Sequence, residues 1–337
     1  MPCKIRHEAI WMRIVNTFLY LCDADIAALG LAPDVARAAV VAAFRAHHQG
    51  RTVSRPKQSL DLGPGHAFQS LCSAWKDEGL AANKWLGMAP VAAGSGARGI
   101  HALIMLNDYE SGRLLAILDG NLITALRTAA MSAAAAQFLA SSESRSIGFI
   151  GCGLQARFHL SAMAAVLPKL RDVRAFSRTR RSADAFIATA AEEGFRGTIC
   201  ADAESVVRRS DVIVTSVPMK EGFEPFLDPG WIANGAFVAA VDVARSWRPQ
   251  ALRALDILAI DDHAQQHESP PIAAALGPRG SFDADLAELA AGVKPGRTDA
   301  AERAMFIFRG FALADLAVAA KVFAAATDKS IGHRLPH

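Results

Sequence analysis

Ser146-Ile147-Gly148-Phe149-Ile150-Gly151-Cys152-Gly153-Leu154-Gln155-Ala156-Arg157-Phe158-His159, continuing to Ala165, reads as a strand, a glycine turn and a helix in that order. Ile147 to Ile150 is a short apolar run suited to a buried strand, and from Leu154 the apolar positions take helical spacing. That order suits a dinucleotide pyrophosphate. Gly151 permits the tight turn, Gly153 lets the backbone approach the phosphates, and Ala156 takes the third small position, where helix and strand pack closely. The helix N-terminus then offers unpaired N–H groups and partial positive charge. A merely structural turn is the alternative, and the flanking strand and helix weigh against it.

Outward from this stretch the pattern is an α/β fold. Downstream, strands at Val173–Phe176, Thr198–Cys200, Val212–Ser216, Phe237–Val241 and Ile257–Ile260 alternate with helices at Ser182–Glu193 and Ala203–Arg208, which argues a parallel doubly wound sheet. Upstream, a strand at Thr17–Leu21 precedes helices at Asp23–Leu29 and Pro33–His48, the second opened by proline and stopped at Gly50. Strands around Phe68–Ser73, Leu80–Leu86, Ile100–Asn107 and Leu114–Asp119 follow, with a mobile glycine-rich loop expected at Gly94–Gly99. An Ala-rich helix from Leu122 to Leu139 leads into the first quoted strand, and a last helix, Phe311–Ala326, is expected to return to the first region. The expected organisation is a Rossmann-type domain (126–305) inserted in a mixed α/β domain (13–125, completed by 306–337). Residues 1–12 stay unassigned.

Composition narrows the function. With 337 residues, the chain is long enough for two substantial cores. A net charge of +3, and no basic run interleaved with aromatics, argue against nucleic acid. Cys3, Cys22, Cys72, Cys152 and Cys200 form no C-x-x-C pair and read as reduced thiols of a cytoplasmic protein. The most apolar candidate span, Ala129–Ala140, falls short of the ~20 residues a membrane needs, and no signal peptide is evident.

The end of the second Rossmann strand selects the nucleotide. NAD binders place Asp or Glu there for the ribose 2′-OH. This chain instead has Phe176-Ser177-Arg178-Thr179-Arg180-Arg181. Three arginines with two hydroxyls suit a 2′-phosphate, so NADP(H) is favoured over NAD(H). A solvated loop is the alternative.

Asp119-Gly120-x-x-x-Thr124-x-x-Arg127-Thr128-Ala129-Ala130, Gly151-x-Gly153-x-Gln155-Ala156, Gly79 to Trp85, Asp211 to Thr215, Ala240-Val241-Asp242 and Gly310-x-Ala312-x-x-Asp315-Leu316 together resemble the ornithine cyclodeaminase/mu-crystallin family. The resemblance runs from about Asn16 nearly to the end and implies a homodimer with an amino or imino acid held near the nicotinamide. It implies that Arg127 and Lys84 grip the substrate carboxylate and that Asp242, at the carboxyl edge of its strand, handles protons. Gly310 is implied to border the substrate. Thr128, Gly151, Gly153, Leu154, Gln155, Ala156, Ser177, Arg178, Thr179, Arg181, Thr215, Ser216 and Val217 are implied to serve the cofactor. Lys57 (or Arg55) falls where relatives place a carboxylate-binding arginine, Gln69 replaces a glutamate of ornithine-specialised relatives, and Ser246 replaces a lysine, with Arg245 a possible substitute.

Residue by residue the alternatives are plain: an internal salt bridge for Arg127, an exposed strand end for Lys84, an N-cap for Asp242. Asp261, Asp262, His263 and His267 read as a solvated turn rather than a metal site. The expected activity is NADP(H)-dependent reduction of a small imino acid such as Δ1-pyrroline-2-carboxylate. A cyclodeaminase using bound NAD, an amino-acid dehydrogenase and a ligand-binding protein of mu-crystallin type are the alternatives.

Overall fold

The computed structural model describes residues 16–90, 99–218, 222–266, 276 and 280–337. Residues 1–12, most of the 94–99 loop and His267 lie outside them. Two sheets organise the chain. The first contains β1 (Thr17–Leu21), β2 (Thr52–Ser54), β3 (Gln58–Asp61), β4 (Ala67–Trp75), β5 (Leu80–Met88), β6 (Ile100–Asp108), β7 (Leu114–Asp119) and β16 (His333–Pro336). Their order is β16-β1-β7-β6-β5-β4-β2, with β3 also on β4. All neighbours are antiparallel except β1 and β7.

The second sheet, of β8 (Ser146–Ile150), β9 (Asp172–Phe176), β10 (Arg196–Ile199), β11 (Val212–Thr215), β12 (Phe237–Ala240), β13 (Ile257–Ile260), β14 (Ala284–Asp285) and β15 (Ala304–Ile307), is wholly parallel in the order β10-β9-β8-β11-β12-β15-β13-β14. Strands β8 and β11 flank the point where the order reverses, so ligands belong at their carboxyl ends. Strand β15 was not foreseen: its short apolar run comes late in the chain and crosses back between β12 and β13.

Helices α1 (Asp23–Leu29), α2 (Pro33–His48), α3 (Gly120–Leu139), α4 (Leu154–Val166), α5 (Arg180–Glu192), α6 (Ala203–Arg208), α7 (Pro249–Leu252), α8 (Leu286–Ala291) and α9 (Ala312–Lys329) fill the layers. Helix α3 starts earlier than expected because Asp119 caps it, accepting from Asn121 N at 3.0 Å. It is thereby long and apolar enough to cross a membrane, yet 72% of that stretch is buried within the fold. Alanine accounts for this. Small side chains let α2, α4 and α9 approach closely, and one apolar cluster runs from β1 and α2 through α3 and α9 into the second sheet. Helix α9 lies against one face of β4 and β5. On the opposite face Phe68, Trp85, Leu103 and Met105 are exposed, with Phe68 and Trp85 stacked at 5.6 Å.

Candidate active site

The glycine turn does what its sequence requires. Gly151 has φ +92°, and a Cβ on it would stand 2.7 Å from the Ser216 carbonyl oxygen, so only glycine fits. Gly153, the residue before α4, would point a Cβ into open space. Nothing within the chain itself therefore excludes a side chain there. Ala156 is buried against the core, as the third small position demands. Together these features fit a pyrophosphate at the N-terminus of α4.

A cleft of about 500 Å³ opens from the turn, lined by Gly151, Gly153, Ser177, Arg178, Thr179, Ser182, Ser216 and Val217 among others. Arg180 turns away to Asp184 at 3.0 Å, and Arg181 is not in the lining, so of the three arginines only Arg178 faces the cleft. Thr179 caps α5 and shares a 2.7 Å hydroxyl bond with Ser182. Leu154, Gln155, Ala156, Thr128 and Thr215 also lie outside this lining. Leu154 and Gln155 face a separate hollow between α1 and α3, and the Thr128 hydroxyl donates to the Thr124 carbonyl at 2.7 Å. Burial pushes the Cys152 thiol up to about 12, so it is no thiolate.

The second cluster is cationic. Lys84 sits mid-strand on β5, not at a strand end, and is wholly buried. Its Nζ donates to Asp315 Oδ1 at 2.7 Å and lies 3.4 Å from Thr124 Oγ1. The Nε of Arg127, on the same helix as Thr124, lies 3.0 Å from that same Asp315 oxygen. The internal salt bridge weighed as the alternative for Arg127 is thus present, and both expected substrate cations share it. Asp315 Oδ2 is buried with no hydrogen-bond partner among the described residues. Lys57 Nζ donates to the Arg309 carbonyl at 2.9 Å. Burial is the main cause that lowers both lysines to about 8, and the Arg127 charge adds to it. Gly310, with φ +96°, brings its backbone so near that a Cβ would meet Arg127 Nη1 at 3.1 Å. Gln69 is on the same face of the sheet as Lys84 and lies 3.5 Å from Ser59 Oγ.

Asp242 follows β12 and is buried. Its carboxylate accepts from Thr215 Oγ1 at 2.9 Å, from Ser246 Oγ at 2.6 Å and from the Val217 backbone. Burial raises its pKa despite these donors. It is no N-cap. Val243 and Ala244 follow at φ 60° and 54°, a left-handed pair that returns the chain so that Ser246 meets Asp242.

A model of the ornithine cyclodeaminase/mu-crystallin family matches residues 23–330. The chain belongs to that family. It is 30% identical over 328 residues to the alanine dehydrogenase of Archaeoglobus fulgidus, covering 94% of this chain and 98% of the relative. It is 33% identical over 226 residues to the ketimine reductase mu-crystallin of Rattus norvegicus, covering 66% and 68%. Among solved structures, Δ1-pyrroline-2-carboxylate reductase of Thermococcus litoralis, in complex with NADH and L-proline, superposes with a TM-score of 0.87 at 26% identity, covering 94% of this chain and 99% of that one.

Two carboxylates of the site carry no signal in the sequence alone. Asp315 supplies the carboxylate that burying Lys84 and Arg127 together requires. Asp261, expected in a solvated turn, is buried. Its side chain instead binds backbone, with Oδ2 accepting from Arg309 N at 3.0 Å and Gly310 N at 2.9 Å. His263, Asp285 and Glu288 do bring ligand atoms within 4.8 Å of one another. There Asp285 and Glu288 close a capping box on α8 and His263 bonds Glu288, so those groups are already engaged.

Proposed function

We propose that the protein is an NADP(H)-dependent reductase of a small imino acid, working as a homodimer. The observation that carries this reading is the convergence of Lys57, Lys84 and Arg127 around Asp315 and the Arg309–Gly310 turn. Three cations against one directly paired carboxylate leave positive charge for a carboxylate guest. The clamp reaches the carboxyl edge of the parallel sheet through Gly310, which follows β15, the edge at which Gly151 and Asp242 also stand. A nicotinamide nucleotide held by the glycine turn would supply the hydride. Arg127 and Lys84 orient the substrate carboxylate so that the adjacent C=N carbon faces it. Asp242, whose burial favours the proton-bound form, keeps the imine nitrogen protonated through the hydroxyl of Ser246 or Thr215.

Arg178, Ser177 and Thr179 on the cleft wall, with no carboxylate among them, support the phosphorylated nucleotide. The relatives' names, ketimine reductase, pyrroline-2-carboxylate reductase and alanine dehydrogenase, support an amino or imino acid substrate. Gln69, uncharged beside the clamp, supports a substrate without a distal amine. The exposed apolar face of Phe68, Trp85, Leu103 and Met105 supports burial against a second copy. The test is NADPH oxidation with Δ1-pyrroline-2-carboxylate and Δ1-piperideine-2-carboxylate, repeated with NADH. Turnover with NADPH preferred is expected. No turnover of any cyclic imine, or formation of proline and ammonia from L-ornithine without added nucleotide, would overturn it.

A further inference from the structure

We propose that Asp261 is a positioning residue for the carboxylate clamp, acting through the backbone of the Arg309–Gly310 turn. The inference rests on the proposed role of Lys57 and Arg127 and deepens it. Asp261 directly follows β13, whose Ile260 pairs with Ile307 of β15, so its side chain lies beside the chain leaving β15. It is almost wholly buried. Among the described residues its carboxylate accepts from backbone: Oδ2 from Arg309 N at 3.0 Å and Gly310 N at 2.9 Å, and Oδ1 from Asp262 N at 3.1 Å.

The two amides tied by Oδ2 belong to the residues that touch the clamp. The Arg309 carbonyl holds Lys57 Nζ at 2.9 Å, and Gly310 is the backbone that packs against the Arg127 guanidinium. A carboxylate anchored on one strand thus fixes the turn leaving the next, and the turn sets two of the three cations. The left-handed φ of +96° at Gly310 needs such an anchor, because nothing in its own side chain can fix it. Without it, one buried and one part-buried amide lose their acceptor and the turn shifts to find another.

Asp261→Ala removes the acceptor, whereas Asp261→Asn keeps one side-chain oxygen for both amides. Asp261→Ala is expected to raise KM for Δ1-pyrroline-2-carboxylate about tenfold or more, while KM for NADPH stays within about threefold. Asp261→Asn is expected to stay within about threefold of the parent in both. Equal loss in the two variants, or a loss shared between substrate and nucleotide, would overturn the proposal. A second readout needs no turnover: the rate of Lys57 carbamylation by cyanate, followed by peptide mass spectrometry. Both variants lose the Asp261 charge that helps keep Lys57 protonated, but only Asp261→Ala releases it from the Arg309 carbonyl, so Lys57 should react about three times faster or more in Asp261→Ala than in Asp261→Asn. Lys57 reactivity no higher in Asp261→Ala than in Asp261→Asn would sink the positioning role. Absent imine turnover in the parent protein, with the labelling difference intact, would sink the functional reading alone.

Discussion

Asp315→Asn probes the charge cluster with little change of shape. In the parent protein Asp315 Oδ1 faces Lys84 at 2.7 Å and Arg127 at 3.0 Å, all three side chains being buried or nearly so. Removing one member of a buried ion pair costs about 3–5 kcal/mol when the other charge stays. Here one partner can escape. Lys84 already sits at about 8 rather than 10.5, and the Asp315 charge and hydrogen bond are what hold it that high. Without them it falls further and sheds its proton near neutral pH, which limits the loss at pH 7 to about 3 kcal/mol, while Arg127 stays charged.

A lysine whose folded pKa lies below its unfolded value binds more protons when unfolded, so stability rises with pH between the two values. In the parent this rise starts at about 8; in the variant it starts lower, and by pH 9.5 Lys84 is neutral in both. The gap between the proteins should therefore narrow by about 1 kcal/mol or more from pH 7 to pH 9.5. Urea unfolding at fixed protein concentration measures it. A constant gap, or a loss under about 1 kcal/mol at pH 7, would refute the shared ion pair.

Arg178→Ala should raise KM for NADPH about tenfold and leave KM for NADH nearly unchanged, because one charge-assisted contact to a 2′-phosphate is lost; parallel steady-state kinetics decide it. Gly151→Ala should destabilise by about 2–4 kcal/mol, seen by thermal melting, since φ +92° and the 2.7 Å approach to Ser216 both oppose a side chain. His159, wholly buried between Ser132 Oγ (2.9 Å) and the Gln155 carbonyl (2.8 Å), is held by burial at about 4. Its unfolded form takes up a proton first, so its contribution is complete above 6.5 and fades as pH falls toward 4, by about 2 kcal/mol at pH 5. His159→Gln should lack that part of the pH dependence in urea titrations. Asp261, raised to about 7, acts in the opposite sense over the same window, so the comparison must be made against the parent at each pH. Trp85→Asp on the exposed sheet face should give a monomer by sedimentation velocity, with a parent dimer as control.

Much of the fold was legible in the sequence because local rules and burial agreed. Pro33–His48 is observed with the expected limits, and so are Asp23–Leu29, Ala203–Arg208 and Ile257–Ile260. Apolar periodicity and end signals act within a few residues, so one sequence carries them. Strand β15 was missed because four apolar residues after a polar stretch carry no period, and only its place between β12 and β13 makes it a strand. Strand β16, exposed along its whole length, has no burial pattern at all and is defined by pairing with β1. In the site, Gly151 was legible because its positive φ and the approach to Ser216 exclude other residues, whereas nothing within the chain excludes a side chain at Gly153. The arginines after β9 were legible as a charge run, yet not individually: the start of α5 turns Arg180 to Asp184 and leaves Arg178 on the cleft.

The clamp was the least local feature, and its physics explains why. Lys57 lies just before β3, Lys84 is on β5, Arg127 on α3 and Asp315 on α9, and Asp261 joins them through the turn after β15 and through its charge on Lys57. No segment alone supplies both a cation and its partner. Burying Lys84 before Asp315 arrived would leave an uncompensated charge in an apolar layer, so the cations become affordable only once α9 has docked on β4 and β5. The last helix therefore covers one face of the first sheet and completes the charge balance there in one step. It follows that agents loosening α9, such as mild urea, should abolish imino-acid binding before they open the glycine-turn cleft, which draws its lining from the second sheet and the loops and helix that follow its strands. Loss of NADPH binding at the same urea concentration as loss of the imino acid would contradict that order.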